Sequence, residues 1–366
     1  MAGIYIHIPF CHSKCAYCDF YSLPLRNEND FVESLENEYK SRIDELEGTI
    51  NTIYLGGGTP SCLSKNSLER IFRMLPTGAN EVTIEVNPED VTSDFIKWMK
   101  NNTTVNRVSM GVQSLNDAEL KVIGRRHTSS EAISAADLLL SNNYNISLDL
   151  IYGLPLQTIR SWTESLDRII KLYPQHLSCY LLSYEPGTRL TALKQMGKIT
   201  EISDETATAM YEILCERTYS AGYEHYEISN FAIPGYQSQH NSSYWNMTPY
   251  LGLGPGAHSY SGKLRSYNPG NLSGYIEKKG LGINITEEEN DLERFNDFII
   301  TSLRTANGLN LEKCEDLFGP DYRASVENAA KKFIYKDIIW QNGVYIGINQ
   351  RHWLSSDSIM LDFIKI

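Results

Sequence analysis

The sequence has no run of about 18 consecutive apolar residues, which a membrane-spanning helix would need. It also lacks a basic and then apolar N-terminal stretch, so we expect no secretory signal. Positive charge is not in excess, because 33 Lys and Arg stand against 45 Asp and Glu, for a net charge of −12. A general nucleic-acid surface needs a basic face, so we expect no nucleic-acid partner. These absences predict a cytoplasmic protein.

Cysteine is scarce and unevenly placed: the chain has seven, an odd number. Thiols grouped in a reducing compartment are typical of a metal site, whereas a disulfide framework uses paired cysteines in an oxidising one. Three of the seven, Cys11, Cys15 and Cys18, have the spacing C-x3-C-x2-C. The other four are scattered along the chain at Cys62, Cys179, Cys215 and Cys314.

The grouped cysteines predict an iron–sulfur cluster. Three thiolates bind three irons of a [4Fe–4S] cube and leave the fourth iron an open position. A structural zinc site is one alternative, but zinc needs a fourth ligand; His12 directly follows Cys11, which makes joint ligation awkward, and no second C-x2-C pair is present. A chance grouping is the other alternative. We interpret the nearby Cys62 as an inert thiol.

The first part of the chain alternates short β-rich runs with helical stretches. The predicted strands cover residues 3–8, 52–55, 82–86, 107–111, 146–151 and 177–182. The predicted helices between them cover residues 30–46, 67–75, 93–101, 131–141 and 159–172. Six such alternations predict an α/β fold with a parallel sheet and right-handed crossovers. No G-x-G-x-x-G follows the first strand, which argues against a dinucleotide-binding fold.

Unusual residues lie at or just beyond the carboxyl ends of the predicted strands. They are Cys11, the Gly-Gly-Gly-Thr-Pro stretch at 56–60, Glu85, Gln113, Asp149 and Ser183. In TIM-like barrels, sites are assembled at this rim from many loops. Because the repeat has six units rather than eight, we predict a partial (β/α)6 TIM-like barrel with an open side over residues 1–220.

The chain changes character after the predicted barrel. Residues 221–284 are rich in Gly, Pro, Asn, Ser and Tyr and predict a loop-rich extension. Thr286 and Glu289 then have the spacing of a capping box and predict a helix start. Further helical stretches are followed by an Asn-Gly pair between two β-rich runs, which predicts a hairpin. We therefore predict a helical, winged-helix-like C-terminal domain over residues 285–366.

Several residues near the strand ends are candidates for cofactor binding. Gly57, Gly58 and Thr59 belong to a turn whose backbone can approach a ligand closely, although a plain tight turn is the alternative. Glu85 either binds a cofactor cation or ribose, or pairs with a neighbour. Tyr17 lies inside the cysteine loop, where it either stacks on an adenine or packs against the fold. For Tyr5, the alternative to cofactor binding is a packing aromatic. As single residues, Gln113, Arg125 and Asp149 are unremarkable, and Arg125 beside Arg126 is typical of a solvated helix end.

A second stretch, His240-Asn241-Ser-Ser-Tyr244-Trp245, combines an imidazole with two aromatic rings. An imidazole supplies an axial nitrogen to haem iron, and aromatic rings supply a flat surface for a porphyrin. The alternative is that His240 is a hydrogen-bonded structural residue. His258 is the reserve candidate for a haem ligand.

Taken together, these motifs resemble HemW, a family of radical S-adenosylmethionine (SAM) haem chaperones related to the oxygen-independent coproporphyrinogen III oxidase. The resemblance runs over nearly the whole chain and is carried by residues 6–11, 56–60, 85–88, 111–114, 149–155 and 252–259. It implies a [4Fe–4S] cluster on Cys11, Cys15 and Cys18. It implies SAM contacts at Tyr5, Tyr17, Gly57, Gly58, Thr59, Glu85, Gln113, Arg125 and Asp149, and haem contacts at His240, Asn241, Tyr244 and Trp245.

Two features of this resemblance favour the chaperone over the oxidase. The oxidase pattern continues as C-x3-C-x2-C-x-C, whereas here Phe20 stands two residues after Cys18. The H-N-x-x-Y-W string is associated with haem binding in the chaperone group. By this resemblance, the oxidase is also the longer protein and has an N-terminal arm ahead of its first strand. The ten residues before Cys11 leave no room for that arm.

The resemblance therefore implies a chaperone that binds haem and passes it to apo-proteins such as respiratory cytochromes. The alternative is oxidative decarboxylation of coproporphyrinogen III, an activity that we do not expect. The sequence leaves homodimerisation and contact with a membrane surface open.

Overall fold

All six predicted barrel strands are present. In the computed structural model, which describes residues 2–365, the strands are β1 (Ala2–Ile8), β2 (Phe10–Cys11), β3 (Leu23–Pro24), β4 (Ile50–Gly57), β5 (Glu81–Val86), β6 (Arg107–Gln113), β7 (Asn145–Tyr152), β8 (His176–Leu181), β9 (Glu224–Glu227), β10 (Asn230–Ala232), β11 (Tyr250–Leu253), β12 (His258–Tyr260), β13 (Leu264–Tyr267), β14 (Ile285–Glu288), β15 (Leu309–Asn310), β16 (Ile339–Asn342) and β17 (Tyr345–Ile348). The helices are α1 (Glu28–Arg42), α2 (Lys65–Met74), α3 (Ser93–Asn102), α4 (Asp117–Val122), α5 (Ser129–Ser141), α6 (Ile159–Leu172), α7 (Arg189–Gln195), α8 (Asp204–Ser220), α9 (Gln239–Trp245), α10 (Leu272–Glu277), α11 (Asp291–Leu303), α12 (Leu311–Phe318), α13 (Pro320–Ile334) and α14 (Ser356–Met360).

The main sheet has twelve strands in the order β14-β13-β12-β11-β1-β4-β5-β6-β7-β8-β10-β9. From β1 to β8 its neighbours are parallel and follow chain order. Parallel neighbours require crossover connections, and helices supply them here. The sheet of the described residues ends at β14 and β9 instead of closing. The predicted partial (β/α)6 TIM-like barrel is therefore confirmed.

Alternation along the barrel strands separates an apolar face from a polar one. On β1, Ile4, Ile6 and Ile8 are fully buried in the same apolar core as Phe31 of α1. Successive side chains of a strand point to opposite faces, so the other face looks into the barrel. That inner face carries polar side chains on four neighbouring strands: Thr83, Glu85, Arg107, Ser109, Ser147, Asp149, His176 and Ser178. The fold thus builds a polar interior inside an apolar shell.

The region predicted as a loop-rich extension contributes strands to both edges of the barrel sheet. β11 pairs in parallel with β1, and β10 and β9 extend the sheet beyond β8. The β11 strand was missed because its sequence, Tyr-Leu-Gly-Leu, is short and runs into a Gly-Pro-Gly turn.

The helix start predicted at Thr286 and Glu289 is wrong. Residues Ile285–Glu288 form the edge strand β14, which pairs with β13. The Glu289 carboxylate binds Arg265 of β13 instead of capping a helix. The capping box lies one turn later, where Asn290 caps α11.

The C-terminal part of the chain has the predicted helix-then-hairpin order. Along the chain, α11 is followed by β15, then by α12 and α13, and then by β16 and β17, which form the predicted hairpin. The three strands make one small sheet in the order β15-β17-β16. This is the predicted winged-helix-like unit. Within residues 2–365, no helix is both long and apolar enough to cross a bilayer.

Glu38 of α1 fastens the segment after β11 to the barrel. Its side chain is fully buried, and it accepts hydrogen bonds from Asn268 Nδ2 (2.7 Å) and Tyr275 Oη (2.7 Å). It also accepts from the Gly254 N–H (2.8 Å) and pairs with Arg42 (2.8 Å). One carboxylate therefore holds together three segments that are distant in sequence.

We expect Glu38→Ala to lower the free energy of unfolding by about 3–5 kcal/mol, because it removes a fully buried partner of Arg42 and leaves the Tyr275 hydroxyl and the Gly254 N–H without their acceptor. Glu36→Ala is the matched control on the same helix, since the Glu36–Arg70 pair is partly exposed and such pairs contribute less than about 1 kcal/mol. Urea unfolding followed by circular dichroism measures both. Equal losses in the two variants would contradict the anchoring role.

Candidate cluster and cofactor site

A cavity of about 540 Å³ opens at the carboxyl ends of the barrel strands. We call it the rim cavity. All three grouped cysteines, Cys11, Cys15 and Cys18, lie on its wall. The wall also contains most of the residues predicted to contact SAM, namely Tyr17, Gly57, Gly58, Thr59, Glu85, Gln113, Arg125 and Asp149. Residues from five strand ends and the cysteine loop therefore meet in one place.

The cysteine loop is held by backbone bonds on both sides of Ala16. The Ala16 N–H donates to the Ile123 carbonyl (2.8 Å), and the Leu190 N–H donates to the Ala16 carbonyl (2.8 Å). Ala16 packs in a small apolar cluster with Ile123 and Leu190, and Tyr17 lies against that cluster. The loop is thus pinned at its centre, with its cysteines on the cavity side.

The three thiols are spread along the cavity wall instead of meeting at one point. Burial raises the pKa of Cys18 to about 11 and also raises the pKa of Cys11, so these thiols lose protons when they bind iron. Across residues 2–365, no three His, Cys, Asp or Glu side chains are grouped closely enough to bind a single metal ion. Thiols that bind different irons of a cube stand apart, so they need one shared cavity wall instead of one shared point.

Arg125 lies beside the cysteines, and its interpretation as a solvated helix end is wrong. Its Nη1 donates to Cys15 Sγ (3.5 Å), and its Nη2 donates to the Gly111 carbonyl (2.6 Å) and to Asn87 Oδ1 (2.7 Å). Asn87 in turn donates to Thr59 Oγ1 (3.2 Å), which donates to Cys11 Sγ (3.5 Å). This chain of bonds joins two of the thiols and places a positive charge beside sulfurs that would carry negative charge in a cluster. Asn87 was not predicted as a site residue, because a single asparagine carries no signal in the sequence.

The glycine turn is shaped by close packing against the first strands. Gly57 has φ +102°, and a Cβ there would lie 2.5 Å from His7 Nδ1. A Cβ on Gly58 would lie 2.4 Å from the Phe10 carbonyl oxygen. The Gly57 N–H donates to Glu85 Oε2 (3.2 Å). The turn therefore needs glycine for structural reasons and also brings bare backbone to the cavity wall.

Two carboxylates inside the barrel face the same cavity. Burial raises the pKa of Glu85 to about 7, although Tyr54 Oη donates a hydrogen bond to it (2.7 Å). Burial also raises the pKa of Asp149 to about 6, although Ser109 Oγ donates to it (3.2 Å). A cation bound near these two groups would stabilise their charged carboxylate forms and lower both pKa values.

The raised pKa of Glu85 predicts a pH-dependent stability. The folded chain binds more protons than the unfolded chain between the ordinary value of 4.5 and about 7, so stability falls as pH rises through that range. We expect Glu85→Gln to reduce this fall by about 2 kcal/mol in urea unfolding at pH 5 and pH 7.5. Glu131→Gln, on an exposed helix end where hydrogen bonds from Thr128 lower the pKa, is the control and leaves the fall unchanged. A fall of the same size in Glu85→Gln would contradict the assignment.

Tyr5 is the one predicted SAM contact that is not on the wall of the rim cavity. Its hydroxyl bonds to His7 Nδ1 (3.0 Å), and its ring lies near Tyr54 and His240. Tyr5 therefore belongs to an aromatic layer inside the barrel, and its contact with SAM stays a prediction.

Helix α9, which contains the whole H-N-x-x-Y-W string, inserts His240 into the barrel. His240 is 1% exposed and stacks on Tyr54 at 5.1 Å. Its Nδ1 bonds to Thr52 Oγ1 (2.8 Å) and its Nε2 to Tyr244 Oη (2.9 Å). Burial lowers its pKa to about 3, so the ring is neutral. Both ring nitrogens are occupied in this conformation, so His240 binds an iron only if one of these two hydrogen bonds breaks.

The four residues predicted to contact haem are divided between different surroundings. Asn241 lies on the wall of the rim cavity, whereas Tyr244 packs edge-on against Tyr250. Trp245 lies on the wall of a second cavity, which we call the rear cavity and which is formed mainly by α8, β9 and residues 350–355. The structure does not bring these four side chains around one space.

The fold and the rim cavity define a radical SAM protein. The chain matches the family model described as the Radical SAM superfamily over residues 5–169. Within that superfamily, the chain belongs to the HemW family of haem chaperones. It is 33% identical to "Heme chaperone HemW" of Bacillus subtilis, in an alignment that covers 94% of this chain and 95% of the relative.

A second relative supports this family, and a solved structure shares the fold. "Heme chaperone HemW" of Escherichia coli K12 is 39% identical, over 70% of this chain and 69% of the relative. The structure of coproporphyrinogen III oxidase (HemN) from Escherichia coli superposes with a TM-score of 0.83 at 22% identity, and the match covers 99% of this chain and 89% of that one. At that identity, the likeness to the oxidase shows a shared fold.

Proposed function

We propose that the chain is a haem chaperone that binds haem and delivers it to apo-proteins, with respiratory cytochromes as the class of recipient. The observation that carries this proposal is the similarity to "Heme chaperone HemW" of Bacillus subtilis, which extends over 94% of the chain. Phe20, at the position where the oxidase pattern has a fourth cysteine, supports the same conclusion; its side chain is 67% exposed at the rim cavity. We also propose a location in the reducing cytoplasm, which the free thiols support.

The residues of the rim cavity fit a [4Fe–4S] cluster and SAM. Cys11, Cys15 and Cys18 would hold three irons, and Arg125 would stabilise the negative charge on the sulfurs. Glu85 and Asp149 would attract the cationic groups of SAM, and Tyr17 would offer its ring to the adenine. When bound, the cluster and SAM supply one-electron chemistry. We propose that this site governs haem transfer instead of porphyrinogen oxidation.

Two parallel anaerobic assays test this function. Haem-loaded protein is mixed with an apo-cytochrome, and haem transfer is followed by absorbance. The same reconstituted protein is incubated with SAM, a reductant and coproporphyrinogen III, and protoporphyrinogen is sought. We expect transfer in the first assay and no product in the second. Product formation, or an absence of haem binding, would contradict the proposal in favour of the oxidase.

A variant links the cluster site to the haem function. We expect Cys15→Ser to slow haem transfer in the presence of SAM while leaving haem binding itself in place. Unchanged transfer by this variant would show that the cluster and SAM play no part in delivery.

A further inference from the structure

The rear cavity is a second large space in the described chain, and neither the cluster nor SAM accounts for it. Its volume is about 910 Å³, larger than that of the rim cavity. Tyr211, Cys215 and Tyr219 of α8 recur every four residues, which puts them on one face of the helix, and all three line the cavity. Tyr226 and Trp245 contribute further aromatic surface. The wall thus offers flat rings and a thiol in one cavity that opens to solvent on the side of Tyr219.

The thiol is paired with a histidine that is held in one orientation. Cys215 Sγ lies 4.0 Å from His225 Nδ1. The His225 Nε2 lies 3.1 Å from the Ile228 carbonyl, so the ring proton sits on Nε2 and the Nδ1 lone pair faces the thiol. The ring is fixed between Phe231, stacked at 3.9 Å, and Trp353, edge-on at 4.4 Å. This is a ligand with its proton acceptor, built into the cavity wall.

The polar groups on the wall of the rear cavity are divided between its interior and its mouth. Trp245 Nε1 is buried without a hydrogen-bond partner among residues 2–365. The charged side chains are all exposed and therefore lie at the mouth of the cavity: Glu212, Glu216, Glu224 and Arg351. A flat ligand with an apolar ring would thus place the ring inward and its charged groups outward, towards water. Arg351 is already paired with Asp337.

We propose that the rear cavity binds a metalloporphyrin of the haem class, with Cys215 Sγ as the iron ligand. The inference rests on the proposed haem function and names its site. Two ligand side chains are too few for a free metal ion, whereas a porphyrin brings four nitrogens of its own and needs one or two protein ligands. The aromatic walls match a flat ring. Cys215 is accessible from the cavity, in contrast to His240, whose two nitrogens are occupied.

Binding would replace the S–H bond of Cys215 with an Fe–S bond. The thiol proton would be released to water, while the hydrogen bond of His225 Nδ1 with Cys215 orients the sulfur, and no electron would be transferred.

A haem titration of the full-length protein with matched variants tests this site. Ferric protoporphyrin IX is added to the wild type, to Cys215→Ala, to Ala306→Trp, which fills the cavity from its wall, and to Cys314→Ala, a buried cysteine outside it. We expect Cys215→Ala to lose a thiolate-type absorption spectrum and to raise the Kd about tenfold or more. Ala306→Trp should weaken binding similarly, and Cys314→Ala should match the wild type.

The outcomes separate this inference from the function on which it rests. If the wild type binds no haem, both fail. If the wild type binds haem and both cavity variants bind it equally well with an unchanged spectrum, the assignment of the haem site to the rear cavity is wrong, while the proposed haem function stands. In that case, loss of haem binding in His240→Ala would identify His240 of α9 as the iron ligand. Circular dichroism of each variant shows that it is folded.

Discussion

Cys15→Ser abolishes the iron–sulfur cluster: we expect anaerobically reconstituted protein to fall from about four irons per chain to near zero. Serine keeps the size of the side chain but replaces a soft thiolate with a hydroxyl that iron–sulfur clusters bind poorly. Cys15 is also the thiol that Arg125 contacts, so its loss removes the bond between the loop and the guanidinium. SAM binding should disappear with the cluster, because the open iron is its main anchor. Iron analysis and visible absorbance measure the effect.

Cys62→Ser is the matched control for this variant. Cys62 is buried in the turn Pro60–Cys62, near the cysteine loop, but it is not on the wall of the rim cavity. We expect its iron content to equal that of the wild type. If Cys62→Ser lost the cluster and Cys15→Ser kept it, the ligand assignment would be wrong.

Gly57→Ala should remove SAM binding and destabilise the fold. The methyl group would be placed at φ +102° and only 2.5 Å from the His7 ring. That ring cannot move aside freely, because its nitrogens bond to Tyr5 Oη (3.0 Å) and to the Tyr21 carbonyl (2.8 Å). We expect a loss of about 2–4 kcal/mol in the free energy of unfolding. SAM affinity, measured by calorimetry on reconstituted protein, should fall at least tenfold.

Gly78→Ala separates backbone strain from the clash. Gly78 has φ +90°, and a Cβ there would meet nothing within 4 Å. We expect it to cost about 1 kcal/mol and to leave SAM binding unchanged. Equal losses in the two variants would mean that the packing of Gly57 against His7 does not matter.

Much of the barrel could be predicted because its signals are local. Each predicted strand ends in a residue whose chemistry is unusual for its position, as at Cys11, Glu85 and Asp149, and parallel strands bring such ends to one rim. The three grouped cysteines are close in sequence and therefore close in space. The rim cavity confirms that these residues share one wall.

The parts that could not be predicted depend on contacts between distant segments. Arg125 looks like a solvated residue beside Arg126, and only the packing of its turn onto Gly111 and Asn87 reveals its place at the thiols. His240 looks like a free loop histidine, and only the insertion of α9 into the barrel shows that Thr52 and Tyr244 occupy both nitrogens. The rear cavity also has no local signal, since α8, β9 and the residues near position 350 meet only in the folded chain.

The central claim is that three thiolates hold a cluster whose fourth iron is open to SAM. Electron paramagnetic resonance of the dithionite-reduced, reconstituted protein, recorded with and without SAM, tests it most directly. We predict a [4Fe–4S] signal that changes shape when SAM is added, because SAM binds the open iron. A protein that stays iron-free after reconstitution, or a cluster signal that SAM leaves unaltered, would contradict the claim.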